Sequence, residues 1–329
     1  MKKIAVIEGG YSLEKAVSLK SSNTIFDNLD RSKFIPTKVL IDEKEWAAYD
    51  NEGNYVIDKN DFSFTKNGIK HNFDFAFIII HGSPGEDGKL QGYFEMIGIP
   101  YNTSSAAITS LTFQKFHCNL FLKNFGVNVA EAFLLRLEDK IDETDILNKI
   151  GLPCFVKPTN AGSSYGITKV KSLKELIPAI KNAFSFGNEV IIEANIEGRE
   201  VTNGIYRNKE GLKTLPITEI ISENEYFDYE AKYNGKSKEI TPAEISKEHT
   251  QKIKSLTSFI YKTLGMNGLA RMDYIIDKNN IPFLIEINSV PGMSKESIIP
   301  QMIKEDNKLV KDVLSKIITL DFWDRIKNN

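Results

Sequence analysis

Two cysteines in 329 residues, Cys118 and Cys154, are too few for a disulfide framework, and neither sits in a Cys/His cluster of zinc-site spacing. A reducing compartment suits such a chain. An excess of one charge is also lacking. The 42 Lys and Arg against 44 Asp and Glu leave a formal net charge of -2, so no global basic field gathers nucleic acid or an anionic membrane. Any polyanion must be held locally. Long apolar runs are missing as well. The run that follows Met1-Lys2-Lys3 covers residues 4–7 and ends at Glu8-Gly9-Gly10, shorter than the apolar region of a signal peptide. The longest other run, residues 75–80, cannot cross a bilayer. The expectation is a cytoplasmic, unprocessed protein with no membrane and no nucleic-acid partner. Internal repeats and low-complexity tracts are absent too. What is present is ordinary globular composition, 41% hydrophobic and 26% charged, at a length that suits two or three domains.

Residues 4–7, the glycine turn Glu8-Gly9-Gly10-Tyr11-Ser12 and a helix-favouring stretch over 13–28 read as buried strand, tight turn and helix, the opening of an α/β unit. Ser12 is the expected N-cap, which puts Glu14 in the first turn, where the helix dipole favours a carboxylate. A second buried-type strand over 73–80 leads into His81-Gly82-Ser83-Pro84-Gly85-Glu86-Asp87-Gly88 and a short helix over 90–97 closed by Gly98. This alternation predicts a small, mostly parallel sheet ending near Pro100. Beyond it the pattern changes to α+β: a helix over 110–125, a hairpin from 155–158 and 167–170 with a Gly/Ser tip, a helix over 173–184, then strands over 190–193, 201–206 and 214–221. The polar stretch 222–241 is too long for an ordinary connection and is the candidate lid. A helix over 248–264 stops at Gly265, and strands over 269–276 and 282–287 follow.

Those last two strands hold the most informative pattern. A hairpin with its loop at 278–281 sets Asp273 opposite Glu286 and Arg271 opposite Asn288, and the two-residue period puts all four on one face. Leu284 falls on that face further along. Two carboxylates and an amide supply hard oxygen ligands that suit magnesium shared with substrate phosphates, and the arginine can neutralise developing negative charge. Spacing alone leaves a second reading open, a salt-bridged strand pair on a solvated face. The strand then exits through Ser289-Val290-Pro291-Gly292-Met293, whose glycine can bring a backbone N–H close to a ligand, and Ser297 stands at the start of a further helix. Upstream, Lys157 precedes Asn160-Ala161-Gly162-Ser163-Ser164-Tyr165-Gly166, a loop of backbone and hydroxyl donors that is either a phosphate cradle or only a turn. It is not a Walker loop, because the lysine precedes the glycines.

Taken together these motifs resemble those of the D-alanine-D-alanine ligases of the ATP-grasp superfamily, from Ile4 to about Pro300. The resemblance is carried by Glu8 to Glu14 with Val17-Ser18-Leu19, His81 to Gly92, Val156-Lys157-Pro158 with Gly162-Ser163-Ser164, Tyr229-Glu230-Ala231-Lys232-Tyr233, Gly268 to Asp273, and Glu286-Ile287-Asn288 to Pro291-Gly292. It implies an ATP-grasp fold of three domains. These are an N-terminal Rossmann-like substrate domain over 1–100, a central ATP-grasp subdomain over 101–187, and a C-terminal one over 188–329 carrying the metal site and the lid.

The resemblance also implies roles. Lys115, Lys157 and Ser164 hold ATP phosphates, the backbone of Glu193, Ala194 and Ile196 reads the adenine, and Glu200 holds the ribose. Asp273, Glu286 and Asn288 bind two magnesium (or manganese) ions. Glu14, in a hydrogen-bonded set with Ser163 and Tyr233, takes the ammonium of the first D-alanine, with His81 lining that site. Arg271 and the Gly292 N–H stabilise the tetrahedral oxyanion. Lys232 and Ser297 lie near the second substrate's carboxylate or the transferred phosphate. D-Alanine and ATP are the implied substrates, a homodimer the implied assembly, and peptidoglycan synthesis the implied destination of the product.

Ala161, Tyr165 and Gln114 depart from the family pattern around the phosphate loop and Lys115. Close rivals are a ligase joining D-alanine to D-lactate, against which Tyr233 argues, and another ATP-grasp carboxylate-amine ligase. More distant ones are a dinucleotide-binding oxidoreductase, for which Gly9-Gly10 lacks the G-x-G-x-x-G spacing, and a nonenzymatic nucleotide sensor.

Overall fold

The computed structural model describes residues 1–160, 162, 165–222 and 237–320. Ser163, Ser164, Lys232 and Tyr233, and with them most of the lid stretch, lie outside the described residues.

The N-terminal sheet has seven strands, β1 (Lys2–Gly9), β2 (Phe34–Ile41), β3 (Trp46–Asp50), β4 (Gly53–Asp58), β5 (Ser63–Lys66), β6 (Ile69–His71) and β7 (Phe75–Ile78), in the order β6-β5-β4-β3-β2-β1-β7. Ile4, Ala5, Val6 and Ile7 are fully buried at its centre, which is why β1 reads as an unbroken apolar run. Only the pairings of β1 with β2 and β7 are parallel, whereas β2 through β6 form an antiparallel meander. The expected mostly parallel sheet is corrected accordingly: short turns between residues 42 and 72 leave no room for crossover helices. Helix α1 (Lys15–Asn28) is entered through Glu14 at the N-cap position, not Ser12. The Ser12 Oγ instead accepts from the Glu14 N–H at 3.2 Å and donates to the His81 carbonyl at 2.7 Å, tying the two loops that leave β1 and β7. Helix α2 (Lys89–Ile97) closes at Gly98, in the left-handed region.

The expected single helix over 110–125 is two, α3 (Ala106–Phe113) and α4 (Lys115–Lys123), broken at Gln114, and the freed Lys115 N–H donates to the Thr159 carbonyl at 3.1 Å. Next come β8 (Ala132–Arg136), α5 (Glu143–Ile150), β9 (Cys154–Pro158), β10 (Thr168–Val170), α6 (Leu173–Phe184) and β11 (Glu189–Ala194). They build a four-stranded antiparallel sheet ordered β10-β9-β11-β8. The strand Glu189–Ala194 thus belongs to this middle sheet.

The third sheet, ordered β14-β13-β12-β15-β16, comprises β12 (Gly198–Asn208), β13 (Gly211–Ser222), β14 (Ser237–Ile240), β15 (Leu269–Asp277) and β16 (Pro282–Asn288). Helix α7 (Lys247–Thr263) packs Ile253, Ile260 and Tyr261 into one core with Met272, Tyr274 and Leu284. Helices α8 (Ile298–Glu305) and α9 (Val310–Ile318) build another core with Tyr206 and Leu215, and this core runs on into Ile25, Phe34 and Phe77 of the N-terminal unit. The last helix therefore staples the first sheet to the third. None of the described helices is long and apolar enough to cross a membrane.

Candidate active site

The β15/β16 hairpin has the expected register at its polar end, with Arg271 opposite Asn288 and Asp273 opposite Glu286. One residue further the register slips, and Tyr274 pairs with Leu284. A bulge at Ile285 absorbs the extra residue and turns Leu284 into the core with Met272 and Tyr274, off the polar face where a regular ladder had put it. The Ile285 carbonyl freed of ladder duty accepts from the Asn119 side chain at 3.3 Å.

On the polar face the Arg271 guanidinium grips Asp273 with both prongs, at 2.9 and 2.8 Å, while Asn288 Nδ2 donates to the same carboxylate at 3.1 Å. The Thr202 hydroxyl reaches across from β12 to the other Asp273 oxygen. Burial works against the Arg271 charge, but Asp273, Glu286 and Glu239 around it hold its proton more tightly than usual. Lys115, delivered by the break at Gln114, pairs with Glu286 at 3.3 Å. Lys157 pairs with Glu193, and at 8% and 9% side-chain exposure this is a buried ion pair that the separate roles assigned to the two residues did not foresee. The Ala194 and Asn195 amides already donate to the Glu131 and Pro153 carbonyls. Glu200 sits mid-sheet between Ile220 and Ile275. Ile196 follows in the half-buried connection to β12.

A cleft of about 480 Å³ joins these groups to the N-terminal unit, lined among others by Glu14, His81, Lys115, Arg271, Asn288 and Ser297. Gly162 lies so close to Glu14 that a Cβ there would stand 2.2 Å from Glu14 Oε2, so any larger residue would push the Glu14 carboxylate aside. His81 is buried with Nε2 3.5 Å from the Ser21 hydroxyl; burial drives its pKa below the ordinary histidine value, and the nearby Glu14 charge opposes this. The Pro291-Gly292-Met293 turn is pinned to α1 by the Met293 N–H, which donates to Ser21 Oγ at 3.1 Å. A Cβ on Gly292 would stand 2.9 Å from Ser297 Oγ, and Ser297, the N-cap residue of α8, shares a 2.9 Å hydrogen bond with Ser294.

Three cleft carboxylates carry no role from the sequence, Glu86, Glu239 and the exposed Glu296. Glu86 accepts from the Gly82 N–H at 2.7 Å, and burial, with Glu14 adding, pushes it up to about 8. Its place in the His81 to Gly88 motif was the available signal. Glu239 accepts from Gln301 at 2.8 Å; burial raises its pKa, while Gln301 and Arg271 pull it back. It stands in β14, inside the stretch read wholly as lid. Tyr165, a departure from the family pattern, lines the cleft and stacks on Phe186 at 6.3 Å between ring centroids.

No three His, Cys, Asp or Glu side chains gather to hold a metal among the described residues. The Asp273, Glu286 and Asn288 set nevertheless fits magnesium: two carboxylates and an amide on one face of one hairpin are hard oxygen donors. Each carboxylate also faces a cation, Arg271 for Asp273 and Lys115 for Glu286.

Family models for the D-ala D-ala ligase N-terminus and C-terminus match residues 3–104 and 121–319. A D-alanine-D-alanine ligase of Phocaeicola vulgatus is 45% identical over 97% of this chain and 99% of its own length. One of Porphyromonas gingivalis is 48% identical over 96% of each. Among solved structures, the VanG D-Ala:D-Ser ligase of Enterococcus faecalis superposes with a TM-score of 0.86 at 31% identity, covering 97% of this chain and 99% of that one. The Bacillus anthracis D-alanine-D-alanine ligase complexed with ATP gives 0.80 at 27%, covering all of both. The three sheets are those of the ATP-grasp fold. Matched by both models and nearly half identical to relatives of its own length, the chain belongs to the D-alanine-D-alanine ligase family.

Proposed function

We propose that this chain joins two D-alanines at the expense of ATP, giving D-alanyl-D-alanine, ADP and phosphate. A carboxylate is a poor acyl donor until it is activated. The first D-alanine's carboxylate oxygen therefore takes the γ-phosphoryl group, forming an acyl phosphate. The amine of the second attacks the acyl carbon, the C–N bond forms, and the C–O bond breaks so that this oxygen leaves with phosphate. The proposal rests on one observation above all: Arg271, Asn288, Glu286 and Lys115 line the same cleft as Glu14 and His81.

Lys115 and Lys157 bring positive charge to the phosphates, Ser164 adds a donor, and the 193–196 segment with Glu200 takes the nucleoside. Phosphoryl transfer needs positioning and charge more than covalent help. Asp273, Glu286 and Asn288 would hold two magnesium or manganese ions, which when bound supply electrophilic charge to the transferring phosphate. Glu14, with Ser163 and Tyr233, orients the first ammonium beside His81, which burial keeps neutral. Arg271 and the Gly292 N–H receive the oxyanion of the tetrahedral intermediate. Ser297 and Lys232 serve the second substrate's carboxylate or the transferred phosphate, and the lid shields the acyl phosphate from water.

Three units organise this machinery: an N-terminal substrate unit, a central unit running through Ala194, and a C-terminal unit with the metal ligands. Cytoplasmic residence, a homodimer and supply of peptidoglycan precursor complete the proposal. Incubation with ATP, magnesium and D-alanine tests it, with the expected product a dipeptide formed one-for-one with phosphate. Because the E. faecalis neighbour is named a D-Ala:D-Ser ligase, D-serine and D-lactate belong in the same assay; product formed only with one of them overturns the D-alanine acceptor.

A further inference from the structure

We propose that Glu239 receives the amino group of the second, acceptor amino acid, and so sets the enzyme's choice of an amine over a hydroxyl acceptor. The inference rests on the ligase reading above. The acceptor arrives as a zwitterion and needs an anionic pole as well as a cationic one. On that reading the Ser297 hydroxyl, which lines the cleft, serves its carboxylate.

The carboxylates lining the cleft are few among the described residues. Glu14 serves the first ammonium, Glu86 is buried against the Gly82 N–H, Glu286 is held by Lys115, and Glu296 is exposed at the rim. Glu239 is the one left. It lines the cleft half-buried, close enough to Arg271 for each to affect the other's charge. Gln301 Nε2 binds its Oε2 at 2.8 Å. Gln301 is four residues past Ser297 on α8, one helical turn, so Glu239 is tethered to the same helix start that presents the Ser297 hydroxyl. Glu239 thus sets a negative charge beside the Ser297 hydroxyl, complementary to the ammonium of an α-amino acid. A hydroxy acid offers the carboxylate but no cation, and gains nothing from Glu239.

Glu239→Gln tests this, because glutamine keeps the acceptor oxygen for Gln301 and loses only the charge. The expected result is a KM for the acceptor D-alanine raised about tenfold, as for loss of one charge-assisted contact, with the KM values for ATP and the first D-alanine unchanged. D-Lactate, used as an inhibitor competing at the acceptor site, should keep its inhibition constant. Glu239→Asp should recover part of the acceptor affinity. An unchanged acceptor KM in the glutamine variant overturns the proposal, and so does a parallel loss of D-lactate binding, which would mark a merely structural role. Failure of the unsubstituted protein to make dipeptide would instead overturn the ligase reading itself.

Discussion

Arg271 does two things at once: it neutralises Asp273 through a two-pronged grip and presents its remaining donors to the cleft. Arg271→Lys keeps the charge but not the planar fork. Steady-state kinetics should show kcat down by about 10² to 10³, the range for removing one oxyanion donor. Arg271→Ala should also lower the melting temperature, because it leaves the buried Asp273 without its cation. The two buried titratable neighbours act on stability in opposite directions. Glu86 is raised from 4.5 to about 8, so its contribution is complete below pH 4.5 and is lost as pH rises through about 8. His81 is lowered from 6.5, so its contribution is present above pH 6.5 and is lost as pH falls through the folded value. Thermal melts of Glu86→Gln should therefore lose the decline that the unsubstituted protein shows between about pH 4.5 and pH 8. Both residues stand in a motif visible in the sequence, but their burial does not, because it depends on loops from three separate units meeting.

At the scale of elements, the polar face of the last hairpin was legible because a period of two and a short turn leave little freedom. The bulge at Ile285 was not, since nothing local in Leu284-Ile285-Glu286 tells a regular strand from one that must bury Leu284 against Tyr274. The helix break at Gln114 was equally hidden; it is set by the Thr159 carbonyl, 45 residues away, taking the Lys115 N–H. Glycines in the connecting loops separate site from scaffold. Gly162→Ala should drive a methyl against Glu14 and lower kcat/KM for D-alanine by about a hundredfold, as an ångström-scale misplacement does, while the melting temperature moves little. Gly268→Ala should do the reverse. With φ at +69° and a Cβ only 1.8 Å from the Asn102 carbonyl oxygen, it should cost about 3 kcal/mol in denaturant unfolding.

At the scale of the molecule, the family fold was readable from the order of motifs, whereas the antiparallel meander of residues 42–72 and the closing helix α9 carried no motif and went unread. That helix shares its core with α1 and both outer sheets, through Leu314, Val313, Ile25, Phe34 and Tyr206. Leu314→Ala should cost about 3 kcal/mol and, because the core is shared, lower the unfolding midpoint of the N-terminal and C-terminal units together. The central claim is that the cleft activates a carboxylate by phosphorylating it. The most direct measurement is mass analysis of the phosphate released when D-alanine labelled with ¹⁸O in its carboxylate is turned over with unlabelled ATP. One ¹⁸O in each phosphate is the predicted result, since the bridging oxygen leaves with phosphorus. Dipeptide made with unlabelled phosphate would contradict the account.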